Sequence, residues 1–177
     1  MSIENLFVQI KGISPLLMHA YPLNPIEAID KKPIEEQAEY SAYRDPEDGL
    51  LFIPGVNIQR CLIAAAVYQK GKNRASLQKV VAACVLINPE RCSLGVKDYE
   101  IDVRGVVVPA TKGRILRYRP RLDNWQVEFE VTFDNDLLTE SQMRRVIDDA
   151  GTRVGLLDFR PERKGPFGRF IVTEWKK

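Results

Sequence analysis

Apolar residues recur with a period of two in several segments, and this pattern predicts β-strands. Residues 6–10 (Leu-Phe-Val-Gln-Ile) form an apolar run closed by Gly12, which is typical of an interior strand. Residues 127–133 (Val-Glu-Phe-Glu-Val-Thr-Phe) alternate strictly and indicate a half-buried strand. Residues 101–108 are rich in β-branched side chains, and residues 170–175 alternate again, so each predicts a further strand.

Other segments follow helical spacing. Pro54 is suited to the first turn of a helix that ends near Gly71, and Ser76 can cap a second helix that extends to about Leu86. Residues 139–142 (Thr-Glu-Ser-Gln) match a capping box and predict a helix over 139–155.

A hairpin is predicted between residues 116–119 and the strand at 127–133. A two-residue turn at Asp123-Asn124 would set Arg119 against Glu128 and Arg117 against Glu130, as an ion-pair ladder on a solvated face.

The order of the predicted elements is that of an α+β fold. Strand, helices, two or three strands, helix and strand form a βαββαβ arrangement, the ferredoxin-like topology that RNA-recognition motifs also adopt. Residues 13–52 contain five prolines and no sustained period, so we expect a long insertion that projects from the fold and is partly mobile. The length predicts a single RRM-like domain over residues 1–177.

The composition excludes several classes of protein. Apolar residues make up 45% of the chain and charged residues 28%, as in a globular protein, and no apolar run approaches a membrane span. The N-terminus does not resemble a signal peptide, and the three cysteines have no paired spacing. We therefore expect a cytoplasmic protein with reduced thiols and no membrane partner.

The net charge is only +2, but it is distributed unevenly. Residues 27–48 carry eight acids against three bases, whereas residues 60–121 carry thirteen bases against four acids. This asymmetry predicts a basic face, unless the acidic segment folds back and neutralises the basic one.

The sequence offers little equipment for catalysis. His19 is the only histidine, so it would have to serve any Ser-His-Asp or Cys-His arrangement, and a site with several histidine ligands for a metal is excluded. No glycine motif for a nucleotide phosphate is present. We predict no catalytic residues, no metal and no cofactor.

Two basic segments are candidates for binding a nucleic-acid backbone, because guanidinium groups bind phosphate oxygens in a forked geometry. The first is residues 112–121, which contain five bases and no acid: Lys112, Arg114, Arg117, Arg119 and Arg121. If Arg117 and Arg119 are paired in the predicted hairpin, Lys112, Arg114 and Arg121 remain as the freer bases.

The second segment is the glycine-rich stretch at residues 155–170. Its glycines would let backbone N–H groups approach a phosphate, Phe159 and Phe167 are candidates to stack on bases, and four side chains supply charge: Arg160, Arg163, Lys164 and Arg169. The alternative is a connecting loop whose glycines satisfy turn geometry and whose aromatic rings cover the core.

Three stretches resemble the RAMP superfamily, whose RRM-like members bind CRISPR guide RNA. They are Gly-Pro-Phe-Gly-Arg-Phe at 165–170, Gly-Ile-Ser-Pro-Leu-Leu-Met-His at 12–19 and Ile-Pro-Gly-Val-Asn-Ile at 53–58, and they are similar to the small backbone subunit of the Cas seven group. Similar small proteins also occur in phages and mobile elements.

The resemblance implies a subunit that assembles in copies along single-stranded RNA or DNA, with other effector-complex subunits as further partners. It places RNA contacts near Asn57 and Arg60 and along the glycine-rich loop, and it implies that the insertion presses onto a neighbouring copy. The chain is shorter than full-sized backbone subunits, so we expect the thumb-like insertions between later strands to be small or missing.

Two alternative functions remain. The first is an endoribonuclease of the same fold, since some RAMP proteins cleave RNA with an aspartate of the first insertion, where Asp30 lies here. The second is a structural assembly protein of a phage or mobile element, whose charges would make protein–protein contacts.

Overall fold

A computed structural model of the protein describes residues 1–24 and 26–177. The helices are α1 (Ile34–Tyr40), α2 (Gly55–Ala65), α3 (Gln78–Cys84) and α4 (Glu140–Asp149). The strands are β1 (Ile3–Gly12), β2 (Leu16–Leu17), β3 (Phe52–Pro54), β4 (Val85–Asn88), β5 (Arg91–Ser93), β6 (Glu100–Val107), β7 (Arg114–Leu122), β8 (Gln126–Asp134) and β9 (Phe170–Lys176). None of the helices in these ranges is long and apolar enough to cross a bilayer.

The main sheet has the order β4-β8-β1-β9, and each neighbouring pair is antiparallel. The four strands of the βαββαβ unit are, in chain order, β1, β4, β8 and β9. Their order in the sheet is therefore 2-3-1-4, and the predicted α+β ferredoxin-like fold is confirmed. The inward residues of β1 (Leu6, Val8 and Ile10) are fully buried against α2 and α4, as the apolar run predicts. A single hydrophobic core joins this sheet to the helices.

The second strand of the unit is β4, which the sequence pattern assigns to a helix. The helix predicted from Ser76 to Leu86 ends at Cys84, and Val85–Asn88 extends along β8 with Val85 opposite Phe133. Val85, Leu86 and Ile87 continue the apolar run of the helix without a period that distinguishes a helix end from a strand, and the tertiary pairing decides it.

The predicted hairpin between residues 116–119 and 127–133 is wrong. Strand β7 pairs with β6 and β2, and both edges of β8 are taken by β1 and β4. Arg119 lies opposite Asp102, and Arg117 lies opposite Arg104. Alternation identifies which face of a strand is buried but not which strand lies beside it, so it could not settle the partner.

Strands β6 and β7 instead form a long two-stranded hairpin outside the main sheet. Leu116 is 58% exposed on this hairpin, whereas Val131 of β8 is 0% exposed in the core. The hairpin occupies residues 100–122, so an insertion of substantial length does stand between the later strands, contrary to the expectation drawn from the chain length.

The insertion after β1 lies partly in the core. Leu16, Leu17, Met18, Ala38 and Leu51 are all fully buried, and the two-residue strand β2 pairs with the end of β7. These segments therefore connect the main sheet to the hairpin, while residues 26–36 lie almost entirely at the surface.

The predicted capping box at the start of α4 is confirmed. The Thr139 hydroxyl accepts a hydrogen bond from the Gln142 backbone N–H at 3.2 Å, and the Gln142 carboxamide oxygen accepts one from the Thr139 backbone N–H at 3.0 Å. Below this cap, Met143, Val146 and Ile147 are fully buried.

Replacing Thr139 by alanine should lower the free energy of unfolding by about 1 kcal/mol, because it leaves an N-terminal N–H of α4 without an acceptor. Urea denaturation followed by circular dichroism measures the loss. Thr139→Ser, which keeps the hydroxyl, is the matched control and should retain most of the stability. Equal losses in the two variants would show that the cap contributes nothing.

Candidate nucleic-acid interface

A cleft with a volume of about 470 Å³ lies where the insertion, helix α2 and the glycine-rich loop meet. The insertion contributes His19 and Tyr43, and the loop contributes Asp158, Arg160 and Arg163 among others. The lining residues from α2 are Asn57, Arg60, Cys61 and Ala64. The three stretches that resemble RAMP proteins thus contribute to or adjoin one site.

Residues 13–18 hold this site together through backbone hydrogen bonds. On one side the Gly168 N–H donates to the Pro15 carbonyl at 2.8 Å, and the Asp158 N–H donates to the Leu17 carbonyl at 3.0 Å. On the other side the Met18 N–H donates to the Pro120 carbonyl at 2.9 Å. The segment therefore fixes the glycine-rich loop against the base of the β6–β7 hairpin.

The glycines of the loop serve close packing of the chain. A Cβ atom on Gly165 would lie 1.9 Å from the Phe159 carbonyl oxygen, and one on Gly168, whose φ is +74°, would lie 2.0 Å from that of Leu156. The N–H groups of Gly155, Gly165 and Gly168 all donate to carbonyls of the protein. The expectation that these N–H groups approach a phosphate is therefore wrong, and the alternative of turn geometry is correct.

Asp158 is the centre of a charged group at the edge of the cleft. Its carboxylate forms a salt bridge with Arg119, whose side chain is only 7% exposed, and lies 3.5 Å from His19 Nδ1. Burial acts to raise the pKa of Asp158, but the hydrogen bond with His19 and the charge of Arg119 outweigh it and lower the pKa to about 2. The carboxylate is therefore charged at neutral pH.

The remaining bases of the loop differ in their availability. Arg160 is paired with Glu162 at 2.7 Å and also donates to the Leu157 carbonyl, so its charge is largely neutralised. Arg163 lines the cleft, is exposed and has no ion pair within the part of the chain that the structure describes. Lys164 is exposed beside it with a left-handed backbone, whereas Arg169 lies outside the cleft with its backbone N–H donated to Ser14.

Helix α2 contributes the second available charge. Arg60 is exposed and has no ion pair among residues 1–24 and 26–177, and Asn57, one turn earlier, is half-buried on the same side of the cleft. Cys61 lies at the cleft wall, where burial raises its pKa to about 12, and its thiol donates to the Gly155 carbonyl at 3.2 Å. It is a neutral packing group rather than a nucleophile.

The bases of residues 112–121 are divided among four places, and Arg117 on β7 lines a smaller pocket that adjoins the cleft. Arg119 is buried in the Asp158 pair, and Arg121 is paired with Asp123 at 2.6 Å and Asp102 at 3.5 Å. Lys112 and Arg114 lie at the tip of the hairpin. Since Arg114 is five residues from Arg119 along an extended strand, it stands about 17 Å away from the cleft edge.

Phe159 and Phe167 pack on each other and are covered by arginines, so they are not presented to a base. Their ring centroids are 5.7 Å apart in an edge-on arrangement. Arg104 lies 4.8 Å and Arg121 5.2 Å from the centroid of Phe167, which is itself buried. The stacking role expected for these rings is wrong; they anchor the base of the hairpin to the loop instead.

The acidic segment does not neutralise the basic one. Within the described residues, Arg91 with Asp45 at 3.2 Å is the ion pair that joins residues 27–48 to residues 60–121. The neutralising acids are Asp102, Asp123 and Asp158, which lie close to the arginines that they pair with. Sequence reasoning assigned no role to Asp158, although it is the first acid of a loop otherwise rich in bases.

The open face of the main sheet is unsuited to a phosphate backbone. Glu128 and Glu130 are exposed there on β8, and Gln9 on the neighbouring β1 donates to Glu128 at 2.9 Å. Phe7 is the exposed aromatic ring of β1 on this face, and Lys176 lies over it at 5.9 Å. This face therefore sets exposed acids beside its positive charges, whereas the two exposed arginines of the cleft, Arg60 and Arg163, have no ion pair within the described residues.

Comparison with known proteins establishes the fold. No family model and no curated protein match the sequence. Among solved structures, the protein is similar to a chain in the cryo-EM structure of the Type III-B Cmr-beta bound to cognate target RNA, with a TM-score of 0.62 and 12% sequence identity. The similarity covers 99% of this chain and 60% of that chain.

Asp158→Asn should remove a pH dependence of stability. The pKa of Asp158 is lower in the folded protein, about 2 against an ordinary 3.8, so its stabilisation is complete above pH 4 and is lost as the pH falls towards 2. The variant should be markedly less stable than wild type at pH 6, because Arg119 is left buried without its partner, and the difference should shrink at low pH.

Urea denaturation at pH 6, 4 and 3 measures both effects. Asp148→Asn, which removes an exposed i,i+4 pair with Arg144, is the matched control and should change stability by less than about 0.5 kcal/mol. A difference between wild type and Asp158→Asn that stays constant across this range would contradict the prediction.

Proposed function

We propose that the protein binds the backbone of single-stranded RNA in the cleft between α2 and the glycine-rich loop, as a subunit of a CRISPR-type effector complex. The observation that carries the proposal is the position of Arg60 and Arg163, two exposed arginines from different elements that line one concave site and have no ion pair among the residues that the structure describes. Guanidinium groups placed in this way bind phosphate oxygens without reading the base sequence.

The neighbouring groups fit a polyanion. Asn57 offers amide donors, and His19 offers a ring nitrogen on the opposite wall. Both acids of the cleft are paired, Asp158 with Arg119 and His19 and Glu162 with Arg160, so neither stands as an isolated negative charge. The net positive potential of the cleft therefore survives folding.

The similar fold supports RNA and an effector complex as partners. The solved chain of similar fold belongs to a Cmr-beta structure bound to target RNA. By analogy, we infer that copies of this protein bind in succession along one strand, with the β6–β7 hairpin and the insertion available for contacts between copies. Single-stranded DNA is the alternative ligand that the same chemistry would accept.

We propose further that the protein binds RNA without cleaving it. Asp30 is exposed on a short 3₁₀ helix and does not line the cleft. His19 does line the cleft, but its carboxylate partner is also committed to the buried Arg119. The alternative of an endoribonuclease is favoured by one observation, the pairing of His19 with Asp158 in the cleft.

Arg60→Gln and Arg163→Gln should each weaken binding of a fluorescent single-stranded RNA. Each should also reduce the slope of log affinity against log salt by about 0.7, because one phosphate contact is lost. Fluorescence anisotropy at several salt concentrations measures both quantities, with DNA of the same sequence in parallel.

The matched control is Lys11→Gln, which removes one positive charge from the open face of the sheet. It should leave the salt slope unchanged. If wild-type protein fails to bind RNA at low salt, or if all three variants reduce the slope equally, the cleft is not the binding site.

Labelled RNA incubated with the wild-type protein, with and without Mg²⁺ or Mn²⁺, should remain intact over hours on a denaturing gel. The physical reason is the commitment of Asp158 to Arg119, which leaves no free carboxylate to activate a nucleophile in the cleft. Cleavage that is abolished by His19→Ala or Asp30→Ala, with binding retained, would replace the proposal by a ribonuclease.

A further inference from the structure

A second pocket, with a volume of about 230 Å³, adjoins the cleft and shares His19 with it. It lies between the insertion and strand β7. Its walls differ from those of the cleft because three tyrosines line it: Tyr21, Tyr40 and Tyr118. A strand that follows the cleft past His19 would therefore meet an aromatic pocket.

The side of the pocket formed by the insertion is held in place by hydrogen bonds. The Tyr40 hydroxyl accepts from the Ile26 N–H at 2.9 Å and donates to the Asn24 carbonyl at 3.1 Å. Gln37 also lines the pocket, and its Nε2 donates to the Lys32 carbonyl at 2.8 Å, so its side-chain oxygen is not used in that bond. The ring of Tyr40 and the side-chain amide of Gln37 are thus held in place without a ligand.

Two further side chains are not committed to such contacts. Tyr21 is 90% exposed at the rim of the pocket, an uncommon position for a large aromatic ring. Arg117 lies at the pocket from β7, and it makes no ion pair within residues 1–24 and 26–177. A planar ligand could therefore be covered by Tyr21 while Arg117 meets an adjacent negative charge.

We propose that this pocket receives one nucleobase of the strand whose backbone occupies the cleft, stacked on Tyr118 and covered by Tyr21. The inference rests on the proposed function and adds to it a base subsite. A base fits because stacking on aromatic rings needs no particular sequence, and the Gln37 oxygen can accept from a base amino or imino group. Arg117 then binds the phosphate that follows the base.

The test uses single-stranded RNA oligonucleotides of one sequence, either intact or carrying a single abasic site at each position in turn. Tyr118→Leu and Tyr21→Leu should each weaken binding of the intact strand about tenfold, with an unchanged salt slope. When the abasic site lies at the position that enters the pocket, wild-type protein should also bind about tenfold more weakly than it binds the intact strand. The tyrosine variants should bind this abasic strand as tightly as they bind the intact strand.

Three controls separate the base subsite from the backbone site. Tyr118→Phe keeps the ring and should bind within about twofold of wild type. Tyr68→Leu removes a half-exposed tyrosine that lies under Arg153 and lines neither site, so it should bind like wild type. Because Tyr21 is exposed, Tyr21→Leu should fold normally even if Tyr118→Leu does not.

The inference is overturned if both leucine variants bind intact RNA like wild type while Arg60→Gln still weakens binding, since the backbone site then exists without a base subsite. Equal weakening of intact and abasic strands at every register would overturn it as well. Failure of the wild-type protein to bind any strand would instead refute the proposed function.

Discussion

The backbone of residues 13–18 is the connection on which the arrangement of the candidate site depends. It runs between two elements that are far apart in sequence, the glycine-rich loop and the end of β7, and hydrogen bonds to both of them. The loop can come this close because Gly165 and Gly168 have no Cβ atom where another carbonyl oxygen lies about 2 Å away. Buried backbone groups must find partners, so this short segment determines where the loop and the hairpin stand relative to each other.

Most of the arginines near this connection build the site rather than contact a ligand. Arg119 is buried against Asp158, Arg121 is held by Asp102 and Asp123, and Arg104 covers Phe167. Removing one partner of a buried pair leaves an uncompensated charge, so such arginines stabilise the fold. Arg60 and Arg163 are exposed in the cleft and form no ion pair in the part of the chain that the structure describes, so their charges remain for a ligand.

The two cavities on either side of His19 differ in the chemistry that they offer. The larger one has arginines and an asparagine, which suit phosphates, whereas the smaller one has three tyrosines, two from the insertion and one from β7. A single-stranded nucleic acid presents these two chemistries in alternation, a charged backbone and a planar base. The insertion after β1 thus contributes to both cavities, and its buried residues tie it to the same core as the sheet.

The sequence alone determined the fold class, the strands β1, β8 and β9, the helix that Thr139 caps and the two stretches in which bases are concentrated, because these depend on local periodicity and composition. It could not determine strand β4, whose apolar run has no distinctive period, nor the partner of β7, because alternation describes the faces of a strand and not its edges. The roles of the arginines and of the loop glycines were likewise decided by tertiary structure. Whether a charge is free or paired depends on acids such as Asp158, which lies 39 residues from Arg119 in the chain and meets it only through folding.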